Sequence, residues 1–379
     1  MGNKLNVKKV FIAGGTGFLG YYSALEFLRQ GVKVGTISLP DIPLGSWFPK
    51  EIGVEYGNLF KMEKDELVKI FSGYDALVYA VGPDDRVHAP VEEGAYMFFK
   101  TRLVDAVVKV FQAAKEAGVK KAVLLNSYFA YFDRTFPERK LAEKNPYIKV
   151  RVEQSAELIK VGEGVANKGM DVVILELPYI FGNMPERMPL WKEVFLDRFA
   201  NMPAVYFPKG GTAMIHCTGV AEAVVAATFY GEHGKRYPIG HTNHKYKYMI
   251  NTMMEACGAT KRYKGVPTCF ATLGGIAVAR KLKKNGQCSG LDYTKLMKDI
   301  QSKDYYIPDE LTQEIHKELH YDDLGFKGGK SIEDGILTTM QACYPHRFDK
   351  NGKLLDKWKG INPTKDEPKD NDPDLKKKK

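Results

Sequence analysis

Five cysteines, at 217, 257, 269, 288 and 343, are an odd number without a Cys-x-x-Cys pair. That excludes a fully paired disulfide framework and a Cys-x-x-Cys zinc site, and it points to a reducing, cytoplasmic setting. No apolar run approaches the ~20 residues of a membrane span; the stretch Cys269 to Ala279 has eleven. Arg280, Lys281, Lys283 and Lys284 follow it. A membrane-surface role is thereby open, but a buried helix with a solvated basic flank is the expectation. Met1 to Val10 carries three lysines and no apolar leader segment, so no export signal is expected. Charge of one sign is not in large excess either. Lys plus Arg is 56 against 46 Asp plus Glu, a net +10, of which Lys376 to Lys379 supply four. This suits an anionic small ligand and falls short of the concentrated patch of a nucleic-acid binder. Nucleic acid as a partner rests on net charge alone and predicts salt-sensitive retention on DNA.

What the 379 residues do contain, at 44% hydrophobic, is enough apolar mass for a large core. Val10 to Ala13, Lys33 to Ile37, Ala76 to Ala80, Lys121 to Asn126 and Asp171 to Leu175 read as buried strands. Leu19 to Gln30, Glu63 to Phe71, Lys100 to Ala117 and Val152 to Asn167 have helical spacing, with Gly31, Gly73, Gly118 and Gly169 at their expected ends. Strand–helix alternation of this kind predicts an α/β fold, a Rossmann-type doubly wound parallel sheet. After Pro178 the pattern loosens around Pro185, Pro189, Pro203 and Pro208, with a helix expected over Leu190 to Phe199. A helix over Ile215 to Phe229 and a strand over Lys235 to Ile239 then resume the alternation. The expected organisation is a cofactor domain, 1–182 plus 215–240, and a smaller C-terminal substrate domain, 183–214 plus 241–347. The charged stretch 348–379 reads as a disordered tail.

Gly14-Gly15-Thr16-Gly17-Phe18-Leu19-Gly20 follows the first strand and opens the first helix. Glycines at 14, 17 and 20 let backbone N–H groups and a helix N-terminus approach a pyrophosphate. Cofactor contacts are therefore expected from Gly14, Thr16, Gly17, Phe18, Leu19 and Gly20, with Ser38 at the end of the second strand. Asp41 lies three residues beyond the usual ribose-binding acid and no cation comes before Lys50, so NAD and NADP both remain open.

This glycine spacing, with Gly57-Asn58-Leu59, Ala80-Val81-Gly82, Leu177-Pro178-Tyr179 and the pair Tyr147 and Arg151, resembles the extended short-chain dehydrogenase/reductase family, also called the NAD-dependent epimerase/dehydratase family. The resemblance runs from Lys8 to about Tyr344. It implies further cofactor contacts from Asn58, Leu59, Ala80, Val81, Gly82, Pro178 and Tyr179, and a homodimer. It also implies that Ser127 is the strand-end serine, Tyr147 the acid/base tyrosine and Arg151 the cation that is usually lysine. The family's Asn aligns near Leu103, and Glu176 stands where Arg is common.

A phenol of pKa ~10 is a poor base at neutral pH. A cation about 4 Å away contributes on the order of 4 kcal/mol at an effective dielectric near 20, and residues four apart share a helix face. Arg151 is accordingly expected to reach Tyr147. His216 is expected to be structural. His316 and His320, and His241 and His244, lack a third ligand, so no metal is expected. The function these residues point to is NAD(P)-dependent hydride transfer at a carbinol or ketone carbon of a small molecule, or epimerisation or dehydration through transient oxidation. A catalytically silent NAD(P) sensor is the alternative. Lys192, Arg198 and Lys209 are candidate phosphate ligands for a sugar nucleotide, whereas Tyr128, Phe129, Tyr131 and Phe132 suit an apolar substrate; the lean is to a non-nucleotide.

Overall fold

The computed structural model describes residues 4–164, 169–365 and 367. Seven strands make the main sheet: β1 (Lys9–Ala13), β2 (Lys33–Ser38), β3 (Gly53–Tyr56), β4 (Ala76–Tyr79), β5 (Lys121–Ser127), β6 (Asp171–Leu177) and β7 (Arg236–Pro238). Their spatial order is β7-β6-β5-β4-β1-β2-β3, and every pairing is parallel. The strands β1, β2, β4, β5 and β6 are buried on both faces, which is why they read as mostly apolar runs, whereas the edge strand β3 is largely exposed. Val10 and Ile12 point into one core layer, and Phe11 and Ala13 into the other. α1 (Phe18–Arg29) covers the first layer. α2 (Lys64–Phe71) and a long composite helix cover the second. The composite helix runs as α3 (Ala95–Lys100), a π-helical turn (Thr101–Asp105) and α4 (Ala106–Glu116). It starts five residues before the expected Lys100 because Gly94, at φ 74°, turns the chain into it.

Gly31, Gly73 and Gly118 take the positive φ expected at helix ends. Gly169 does not. The fourth long helix, α6 (Pro146–Gly162), stops at Gly162 and begins at Pro146, six residues before the expected Val152. Proline at the first helical position is pre-set in φ and lacks only an N–H the helix would leave unpaired. The expected end near Asn167 lies outside the described residues. α5 (Tyr128–Thr135) follows β5 directly, and α7 (Cys217–Tyr230) packs against α1 in the first core layer.

A smaller sheet is built from Tyr179–Phe181, Gly211–His216, Thr242–Lys245 and Asp304–Tyr305. The chain therefore leaves the main sheet at Pro178, and Gly211–His216 straddles the division expected at 214. Ile315, Leu319, Tyr321, Leu324 and Phe326, expected in the substrate domain, pack into the core layer of the main sheet instead.

Composition marks 348–379 as a disordered tail, but Phe348 to Pro363 folds back onto the body. Arg347, 0% exposed, donates to the carbonyls of Cys257 and Ile361 and to both Glu367 oxygens. Asn362 accepts from the backbone of Thr260 and Lys261. A guanidinium this deep requires several acceptors, and the tail supplies them. Burial raises the Glu367 carboxyl, but Arg347, the Thr364 N–H and His346 together outweigh it and hold the group below the ordinary range. Its stabilisation is therefore present at neutral pH and lost as pH falls through the carboxylate range. Deleting residues from Phe348 onward is expected to cost about 3–5 kcal/mol, read as a lower denaturant midpoint.

His216 ends its strand and caps α7: its Nδ1 accepts from the Thr218 N–H at 3.0 Å. Burial pushes its pKa from 6.5 down to about 4, against the opposing pull of Asp334. The unfolded chain thus takes up a proton that the native imidazole refuses, and stability falls as pH drops from 6.5 toward 4. His216→Asn, which keeps a capping oxygen, is expected to flatten melting temperature against pH across that window.

Candidate active site

In an open parallel sheet the ligand crevice forms where the strand order reverses. Here that is the carboxyl edge between β1 and β4. The glycine turn occupies it: Gly14 takes φ 88°, and a Cβ there would lie 2.8 Å from the Ala80 carbonyl. A Cβ on Gly20 would lie 2.1 Å from the Gly14 carbonyl oxygen. The turn is thus a cradle that a side chain at Gly14 or Gly20 would disrupt, as a close-approaching pyrophosphate requires. Ser38 is buried, with the Thr16 hydroxyl 3.4 Å from its own. Asn58 accepts from the Phe60 N–H, and Leu59 is buried in the core.

Beyond the turn opens a cleft of about 690 Å³. Phe18, Leu19, Ala80, Val81, Gly82, Ser127, Tyr147, Arg151, Pro178 and Tyr179, all expected at the site, line it. Gly14, Thr16, Gly17, Gly20, Ser38, Asn58 and Leu59 are not among its lining residues.

Tyr147 sits in the first turn of α6 and Arg151 one turn later, on the same face. Arg151 Nε donates to the Tyr147 hydroxyl oxygen at 2.9 Å, and its Nη1 donates to Gln154 at 2.9 Å. The expected contact between cation and phenol is present. Burial nevertheless pushes the phenol up to about 12; Arg151 pulls it down and Asp85 adds to the rise. Tyr147 is also fixed through its backbone, whose N–H donates to Gly290 at 2.9 Å. A Cβ on Gly290 would lie 2.8 Å from that of Tyr147.

Ser127 is the last residue of β5. Its Oγ accepts from the Phe129 N–H at 3.3 Å, capping α5, so its own O–H is left to donate. Asn126 ties β5 to α6 by donating to the Arg151 carbonyl and to Ser155. Leu103, in the π-helical turn, is fully buried against Gly82; the position where the family's Asn is expected is thus apolar. Glu176, 0% exposed, is absent from the cleft lining and forms a two-pronged pair with Arg134, both contacts at 2.7 Å.

Asp84, Asp85 and Arg86, to which no sequence motif gives a role, all line the cleft. Arg86 pairs with Asp84 at 2.5 Å. Asp85 is half-buried, and burial raises its carboxyl while Arg86 lowers it. The signal was available: charges directly after a buried strand fall at the ligand edge of such a sheet. Of the three candidate phosphate ligands only Arg198 lines the cleft. Lys192 is buried in an ion pair with Asp197, and Lys209 is not among the lining residues. Arg187, not anticipated, is.

His316 stacks on Tyr321 and His320 on Tyr230, with centroids 4.0 and 4.3 Å apart. They do not share a helix face, since the helix Asp309–Glu318 ends before His320.

Fold and site together define a dinucleotide-binding α/β protein of the doubly wound class. The chain belongs to the NAD dependent epimerase/dehydratase family, whose model matches residues 10–240. The family is NAD(P)-dependent, and this is an enzyme of the epimerase/dehydratase type with NAD(P) as its cofactor. No curated protein matches it. Among solved structures it is similar to gox2253, at 18% identity and TM-score 0.68, covering 92% of this chain and 100% of that one. It is also similar to UDP-glucose 4-epimerase from Bifidobacterium longum in complex with NAD+ and UDP, at 16% identity and TM-score 0.61, covering 89% and 99%. A third is MoeE5 in complex with UDP-glucuronic acid and NAD, at 13% identity and TM-score 0.58, covering 88% and 98%. At these identities the likenesses show the fold. Among the described residues no helix is long and apolar enough to cross a membrane.

Proposed function

We propose that the protein transfers hydride at a carbinol or ketone carbon, either as a net oxidation or reduction or as transient oxidation within an epimerisation or dehydration, with Tyr147 as acid/base. The observation that carries this reading is the 2.9 Å bond from Arg151 to the Tyr147 oxygen inside the cleft. Bound NAD(P) supplies the hydride donor or acceptor. The turn from Gly14 to Gly20 would hold its pyrophosphate, with Ser38, Asn58 and Leu59 serving the adenosine end and Ala80, Val81, Gly82, Pro178 and Tyr179 the nicotinamide end.

Because the phenol oxygen accepts from Arg151, its own proton is free to pass to a substrate oxygen. The guanidinium then faces the phenolate left behind. Ser127 donates to the same substrate oxygen and fixes it for proton transfer. Leu177, Tyr179, Leu291 and Tyr293 give the cleft apolar walls, while the exposed guanidiniums of Arg187 and Arg198 line it too. Two cations without a carboxylate partner among the described residues, beside an apolar cleft, suit a substrate with an anionic group, and the UDP-sugars bound by similar structures make a sugar nucleotide the first to test. The reading retains the homodimer, checked by light scattering, and the cytoplasmic setting.

The test is absorbance at the reduced-nicotinamide band, with NADH and NADPH separately, against sugar nucleotides and apolar ketones. Turnover on any member supports the reading. The silent sensor is favoured by the apolar Leu103 where the family's Asn is expected, by Arg151 in place of lysine and by Glu176 in place of the common Arg, and it predicts tight cofactor binding with no turnover across the panel.

A further inference from the structure

The helix α8 (Thr268–Lys284) packs on the molecule through Ala271, Gly275 and Leu282 and leaves the large apolar residues of its first turns, Phe270 and Leu273, outside. Ala271 and Gly275 are buried. A Cβ on Gly275 would lie 2.6 Å from the Tyr293 carbonyl, so only glycine permits this close approach. Phe270 is 63% exposed and Leu273 60%. The sequence led to the opposite expectation, a buried apolar helix, since spacing shows where apolar residues recur but not which face finds a partner.

The exposed face has an order along its length. At 100° per residue, Phe270, Leu273, Ala277, Lys281 and Lys284 fall on one stripe. The stripe is apolar for its first half and cationic for its second, with Arg280 and Lys283 exposed beside it. Between Glu255 and Asp292 the chain has seven Lys and Arg and no Asp or Glu. Among the described residues, none of Arg280, Lys281, Lys283 and Lys284 has a carboxylate within 4.0 Å.

We propose that α8 lies on an anionic phospholipid surface, with Phe270 and Leu273 at the acyl boundary and Lys281 and Lys284 on lipid phosphates. One surface of that chemistry satisfies both halves of the stripe: apolar side chains leave water, and cations meet fixed negative charge. A second copy of the helix does not. Parallel pairing sets cation against cation, and antiparallel pairing sets lysine against Phe270. The other side of α8 rests on Tyr293 and Met297, which line the catalytic cleft, so the docked face is one helix away from the substrate. The helix is too short to span, and the surface is peripheral.

Flotation of the full chain with two vesicle types tests this: phosphatidylcholine alone, and phosphatidylcholine with about a third phosphatidylglycerol. Partitioning is expected to be at least about tenfold stronger on the anionic vesicles and to fall at high salt. Phe270→Glu/Leu273→Glu and Lys281→Glu/Lys284→Glu should each lose at least about tenfold in partitioning. Both variants change only exposed side chains, so their melting temperature and cofactor affinity should match wild type. Indifference of the protein to anionic lipid, or equal partitioning by Phe270→Glu/Leu273→Glu, would overturn the proposal. So would loss of a subunit by that variant in light scattering, which would make the face a contact between protein chains.

Discussion

Tyr147→Phe is expected to lower turnover by about 10²- to 10⁴-fold, the ordinary worth of a positioned acid/base, while cofactor affinity stays that of wild type. The ring is buried and packs edge-on against Phe99, with centroids 5.2 Å apart. Phe fills the same space, and only the hydroxyl is lost. Arg151→Met should be nearly as damaging for another reason. It leaves the phenol in place but removes the group that pulls its pKa down, so burial and the nearby Asp85 act against a weaker opposition and the pKa rises further. Arg151→Lys separates charge from geometry: recovery of turnover would show that any cation serves, and failure would show that the fixed direction of Nε is required.

The pH profile follows with the same sign. A phenol with a pKa of about 12 is protonated at neutrality. It is ready as an acid in ketone reduction and must lose a proton before acting as a base in alcohol oxidation. Oxidation should therefore accelerate with rising pH while reduction stays flat or declines, measured in both directions on one substrate pair. Equal turnover in wild type and Tyr147→Phe would sink the assignment.

Gly20→Ala is the second large effect expected. Its Cβ would meet the Gly14 carbonyl oxygen at 2.1 Å, the Gly14 carbonyl carbon at 2.7 Å and the Gly15 Cα at 2.8 Å. All three are backbone atoms of the turn, with no flexible side chain to yield, so α1 must withdraw from the loop it packs against. Overpacking of this kind costs about 1–3 kcal/mol, and the cradle opens with it. Cofactor binding by fluorescence titration should be lost together with several degrees of melting temperature. Gly17→Ala supplies the contrast, since its Cβ would meet only the Gly14 carbonyl oxygen, at 3.2 Å, and a milder change is expected. Wild-type cofactor affinity in Gly20→Ala would mean that the turn does not hold the pyrophosphate.

The sequence by itself determined what depends on local repetition. Six strands of the main sheet, α1 and the glycine turn follow from apolar runs, helical spacing and glycine placement, because a parallel strand buried on both faces is mostly apolar. The pairing of Tyr147 with Arg151 was legible for the same reason: one helical turn fixes it wherever the helix lies. The tertiary structure alone decided which neighbour answers each side chain. Glu176 stands out in the sequence as an odd charge in a strand, and its answer, Arg134, comes from a helix forty-two residues earlier. The stretch after Arg347 reads as a solvated tail because its composition is polar, yet it is held by the buried Arg347 guanidinium, through Ile361 and Glu367, and by Asn362 on the backbone of Thr260 and Lys261. Asp85 reaches the cleft because a parallel sheet collects its strand ends on one edge. Phe270 and Leu273 remain outside because Gly275 lets the opposite face of their helix approach the body more closely. Periodicity records which residues avoid water, and only the packed chain shows which of them have done so.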